Sequence, residues 1–144
     1  MMRLTWFRSV VLAALTAGCV ANAEGDSANY DVSTEGTSTK VKAGEKGKVV
    51  ISIAAKNGAH VSDEAPLRIE LSSKESKLDK EKLALADSVG PKEVGPRSAV
   101  KFEVGFAPSA HGKTTVDAKM TFFICTEKLC SRQTKNLSLP VEVN

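Results

Sequence analysis

Cys125 and Cys130 are the residues of this 144-residue chain whose type and spacing are best placed to do chemistry. Four residues separate them, and Phe122-Phe123-Ile124 leads directly into the first. Strand-like sequence follows the second, so the segment reads as a hairpin with a cysteine on each arm. At a non-hydrogen-bonded position of an antiparallel ladder, facing Cα atoms lie about 4.5 Å apart. That is near the lower end of what a disulfide bridges, so a bond is feasible with some strain. Two readings follow. As a staple, so short a loop contributes about 2 kcal/mol in the chain-entropy account, and less where the ladder already pairs the arms. As an exchange site, the same bond offers a sulfur at a loop, where an incoming thiolate can attack along the S–S axis. Spacing alone does not choose between them, because small exported domains often use disulfides structurally. Lys128 would favour a neighbouring thiolate and Glu127 would oppose it, although both read equally well as exposed loop charges.

Other chemistries find little support. Zinc needs four ligands, and His60 and His111 lie far from the cysteine pair and from each other in sequence. A Cys-x-x-Cys at a helix start is absent, and Ser, His and Asp occur without a nucleophile motif to organise them. The expected metal and cofactor set is therefore empty. His60 invites a general-base role, but a surface or turn histidine is the preferred reading.

The elements around the pair are strands. Val49, Ile51 and Ile53 alternate with Val50, Ser52 and Ala54, and polar or small residues alternate with Leu67, Ile69 and Leu71 and with Val100, Phe102, Val104 and Phe106. The same period of two runs through Val116, Ala118, Met120 and Phe122, and through Leu137, Leu139, Val141 and Val143. Such alternation buries one face of a strand and wets the other. Turn signals divide the runs at residues 43–47, Lys56-Asn57-Gly58, Gly90-Pro91, Gly95-Pro96 and Pro108 to Gly112. The pattern predicts an all-β fold, an antiparallel β-sandwich over residues 38–144, large enough to fold alone. Pro140 marks a sheet edge or a bulge. Residues 76–87, rich in lysine and leucine, fit either a helical turn or a short strand with a loop. The domain has no tryptophan, since Trp6 is the chain's single one, so an immunoglobulin likeness would be one of topology.

The N-terminus reads as an export signal. Arg3 and Arg8 precede a short apolar run from Val10 to Ala17, too short to cross a bilayer. Leu15-Thr16-Ala17-Gly18-Cys19 resembles a bacterial lipobox, which would make residues 1–18 the signal and Cys19 the lipid-attachment residue. Ala21-Asn22-Ala23 offers an alternative cleavage before Glu24. Residues 19–37 read as a flexible, solvated tether, with Tyr30 and Val32 as the larger apolar residues from Glu24 onward. Removing residues 1–18 takes two of the 20 basic residues and none of the 17 acidic ones, so the net charge falls from +3 to +1. A near-neutral domain of dispersed charge argues against nucleic acid or an anionic membrane surface as a partner. Membrane contact is then expected only through the N-terminal lipid.

Residues 123–130, Phe-Ile-Cys-Thr-Glu-Lys-Leu-Cys, resemble the motif of the N-terminal periplasmic domain of the thiol:disulfide interchange protein DsbD. Lys56-Asn57-Gly58-Ala59-His60 and Ala65-Pro66-Leu67-Arg68-Ile69-Glu70-Leu71 resemble that domain's early hairpin, and the likeness runs from about Lys40 to Val143. The resemblance implies an immunoglobulin-like sandwich in the periplasm, with Cys125 and Cys130 as a redox couple. It also implies a thioredoxin-fold oxidoreductase and a membrane electron donor, on separate chains, as partners in mixed disulfides. Three features depart from the pattern. No membrane or thioredoxin-like domain accompanies the sandwich, Ser131-Arg132-Gln133 stands where prolines often follow the second cysteine, and residues 88–97 carry no aromatic to cap the disulfide. The competing expectation is a non-catalytic immunoglobulin-like envelope lipoprotein, whose disulfide is structural and which binds a partner through a sheet edge or loop.

Overall fold

The computed structural model describes residues 27–89 and 97–144. The expected signal, Cys19, and the turns at Gly90-Pro91 and Gly95-Pro96 lie outside the described residues. Alternating apolar runs become strands that stack as two sheets with one core, the all-β sandwich that the periodicity predicts. The first sheet has the order β1 (Tyr30–Ser33), β3 (Gly47–Ala55), β8 (Ala99–Pro108), β6 (Ser76–Leu78). The second runs β2 (Lys40–Val41), β10 (Cys130–Val143), β9 (Gly112–Cys125), β5 (Arg68–Ser72), β7 (Lys82–Ala84), and β4 (His60–Val61) also pairs with β9. All pairs are antiparallel except β2 with β10, which is parallel over two residues.

Phe102 and Phe106 of β8, Ile51 and Ile53 of β3, Ile69 of β5, and Met120, Phe122 and Ile124 of β9 meet between the sheets and are fully buried. Each such side chain contributes about 1.5–3 kcal/mol through removal of apolar surface from water. Gly47 admits no Cβ, because one would collide with the Phe106 ring.

Two sequence expectations are corrected. The tether reading fails from Tyr30 onward, because Tyr30–Ser33 pairs with Ser52–Ala55 as β1. Tyr30 is 2% exposed and stands edge-on to Phe122, with ring centroids 5.1 Å apart. One aromatic and one valine two residues apart suffice for an edge strand, even in polar surroundings. The early hairpin implied by the resemblance is instead a crossover. Asn57 and Gly58 both take positive φ, 54° and 75°, and the turn sends the chain from β3 in the first sheet to β4 in the second. Residues 76–87 resolve the helix-or-strand ambiguity with two three-residue strands and a 3-10 turn, Leu85–Asp87.

Pro140 faces Thr115 two-by-two in register with the Cys130–Cys125 pair. That set of positions is non-hydrogen-bonded, so the missing N–H of Pro140 faces away from β9. Among the described residues the outward edge of β10 is paired by β2 only at Glu142 and Val143. From Cys130 to Leu139 no other described strand pairs along that edge.

Candidate functional site

The site is built on the β9–β10 hairpin, two 14-residue strands in continuous register from Gly112↔Val143 to Cys125↔Cys130. At the tip the Thr126 N–H donates to the Leu129 carbonyl at 2.9 Å. The Thr126 hydroxyl donates to the same carbonyl at 3.2 Å and accepts from the N–H groups of Lys128 and Leu129, each at 3.3 Å. A threonine whose hydroxyl mimics a turn partner thus leaves Glu127-Lys128 as the tip. The next ladder pair is Cys125 and Cys130, joined by a disulfide with Cα atoms 3.9 Å apart. The structure therefore brings together the two residues singled out from the sequence, at a non-hydrogen-bonded pair.

Their surroundings are unequal. Cys125 is 3% exposed, although it lies on the outer side of β9, where Lys113, Asp117 and Lys119 face solvent. Its cover comes from topology: β4 pairs along one flank, with His60 opposite Cys125, and β10 pairs along the other. Cys130 belongs to β10, whose far side is open here, and it is exposed. Its chain neighbour Leu129 is 65% exposed, an apolar side chain of unusual exposure for this domain. Of the two bonded cysteines, Cys130 is thus the one that meets solvent.

His60 is the residue that sequence reasoning placed least well. It is half-buried in a strand beside the disulfide rather than on a turn. The Asn57-Gly58 turn was visible, but the strand that follows is only two residues long and its partner is 65 residues away in sequence. His111 is exposed in the β8–β9 connection. Among the described residues no three His, Cys, Asp or Glu side chains gather as metal ligands do, and no helix is long and apolar enough to cross a membrane.

Beneath the hairpin, on the inner side, Gln133 is 1% exposed and donates its amide to the Ser131 hydroxyl at 2.9 Å. Among the described residues its Oε1 has no hydrogen-bond partner, nor has the buried Tyr30 hydroxyl. Polar groups left so cost about 1–3 kcal/mol each.

On the outer side, Phe123 faces Arg132 one same-face step from the disulfide. The following rows are Thr121 opposite Arg68 and Lys119 opposite Glu70. These side chains line a groove of about 360 Å³.

No protein-family model matches the chain, and no curated protein matches it. Solved structures of similar shape include domains 4 and 5 of the S-layer protein SbsC, at 14% identity and a TM-score of 0.43, covering 78% of this chain. The chain spans 50% of the length of that structure. A cohesin module from a Clostridium perfringens family 33 glycoside hydrolase matches at 15% identity and a TM-score of 0.37, covering 81% of this chain and 96% of its own.

Proposed function

We propose that this chain is an exported thiol–disulfide exchange domain that relays electrons through Cys125 and Cys130 by way of mixed disulfides. The observation that carries the reading is the asymmetry of the bond: Cys130 is exposed on an open edge strand, whereas Cys125 is 3% exposed between β4 and β10. A partner thiolate attacks the Cys130 sulfur, the S–S bond breaks, and its electron pair leaves with Cys125, which takes a proton. The partner is then joined to Cys130. In the resolving step a second thiolate of the partner attacks its own sulfur in that bond and releases reduced Cys130. Export by residues 1–18, and a lipid on Cys19 that holds the domain at the cell envelope, belong to the same proposal.

The test is a redox titration of the domain against glutathione, with both thiols read by mass. A midpoint above about −300 mV supports exchange, and resistance below it marks a staple. A Cys125→Ser variant should trap a mixed disulfide through Cys130 with an oxidised thioredoxin-fold partner. Intact mass of membrane-extracted protein separates a lipidated Cys19 from a chain that begins at Glu24.

The open edge of β10 and the exposed Leu129 favour a second reading, a non-catalytic interaction module of the envelope. Under it, a variant with both cysteines changed to serine keeps its partner.

A further inference from the structure

We infer that the groove on the outer face of the second sheet is the docking site for an acidic segment of the disulfide-bearing partner, an inference that rests on the exchange reading above. Its position comes from register. Phe123 and Arg132 face each other two residues from Cys125 and Cys130, on the side of the sheet that carries the disulfide. One same-face step along a strand is about 7 Å. A segment lying in the groove therefore ends beside Cys130, the exposed member of the pair.

Its chemistry comes from charge. Arg68, Lys119 and Arg132 line the groove, with Glu70 as the single carboxylate, so it carries a net +2. None of the four belongs to an ion pair among the described residues. Asp63 and Glu64 are on the β4–β5 loop and do not line the groove, and Glu127 and Lys128 cancel at the hairpin tip. Asp117 and Glu81 lie beyond the groove, in the adjoining cavity past Glu70 and Lys119. Within the groove three cations with one carboxylate attract further carboxylates, and guanidinium groups take them in bidentate fashion. The half-buried Phe123 ring supplies an apolar floor among these charges. The occupant that fits is an extended stretch bearing two or more Asp or Glu and one apolar residue, adjacent to its own cystine.

Small disulfides of opposite charge serve as probes. In each, the Cys130 thiolate attacks the probe disulfide and releases one thiolate. Cys125 then attacks the Cys130 sulfur, releasing the second as the Cys125–Cys130 bond forms. Two electrons pass to the probe, and the two cysteine protons go to its thiols. Oxidised glutathione is anionic, cystamine is a dication, and 2-hydroxyethyl disulfide is the neutral reference. With the reduced protein at low ionic strength, and each rate divided by that of the neutral probe in the same protein, oxidised glutathione should outrun cystamine by about tenfold. The advantage should collapse in 1 M salt, where the Debye length is about 3 Å. Arg68→Glu with Arg132→Glu should invert the order, and the milder Arg68→Gln with Arg132→Gln should abolish it. Equal ratios in the wild type and both variants, or a wild type that prefers cystamine, overturn the docking site. The glutathione midpoint judges the exchange reading separately. A protein too resistant to serve as a relay can still show the charge preference once reduced with a phosphine, and an exchangeable midpoint without the preference removes only the groove.

Discussion

The outer faces of the two sheets handle charge in opposite ways. On the first, Lys48 and Lys101 share Glu103 at 3.5 and 3.3 Å, Lys56 meets Asp31, and at its margin Lys46 meets Asp79 at 3.0 Å. Lys101 and Glu103 are same-face neighbours along β8, and Lys48 sits diagonally across the ladder on β3, so the register brings the acid between two lysines. On the second, Arg68, Lys119, Arg132 and Glu70 stand without such partners among the described residues. The contrast continues inward and outward from there: the hairpin end also holds an unsatisfied Gln133 Oε1, an exposed Leu129 and an unpaired strand edge. Unpartnered buried hydroxyls occur on the first sheet too, at Tyr30 and Ser76 among the described residues, but only the hairpin end adds an exposed leucine and a cystine to them.

If the first sheet carries stability and the hairpin carries chemistry, mutations should sort accordingly. The largest effect is expected for Phe102→Ala, about 3–5 kcal/mol by urea denaturation, because the ring is fully buried between the sheets. Replacing both Cys125 and Cys130 by alanine should cost less than about 2 kcal/mol, since the ladder continues past them to Thr126 and Leu129. A loss comparable with that of Phe102→Ala would return the disulfide to a structural role. Gln133→Met should stabilise by about 1 kcal/mol, because it removes a buried acceptor without a partner and nearly preserves volume. A destabilised variant would show that the polar group is matched in solution.

The smallest effect belongs to the neutralised face. A hydrogen bond from Lys101, aided by the charge of Lys48, holds the Glu103 carboxyl below the usual carboxylate range. A depressed carboxylate pKa means that its contribution to stability is present above the unfolded value and is lost as pH falls through the folded one. Glu103→Gln should therefore lower stability slightly at pH 7 and leave it unchanged well below the carboxylate range. Denaturation midpoints at the two pH values check this, and an equal loss at both would remove the ion pairs from the account.

The long strands were legible because their period is unbroken: Val100 to Phe106 and Val116 to Phe122 alternate with polar residues and bury on schedule. The cysteine pair was legible because a hairpin needs only local sequence. What escaped depends on contacts distant in sequence. Tyr30 is an edge-strand residue only because Phe122 lies across from it, and His60 meets Cys125 only because β4 crosses to the second sheet. The groove was equally hidden, since Arg68, Lys119 and Arg132 sit on three strands and share no motif.

The free margin of β10 has one more consequence. Amides and carbonyls that point away from β9 form a template on which a foreign strand, or another copy of this protein, can stack. Arg132 and Lys135 place charge along that margin, and Pro140 removes a donor near its end. Exchanging the three for valine would convert a guarded border into a nucleus for fibrous self-assembly.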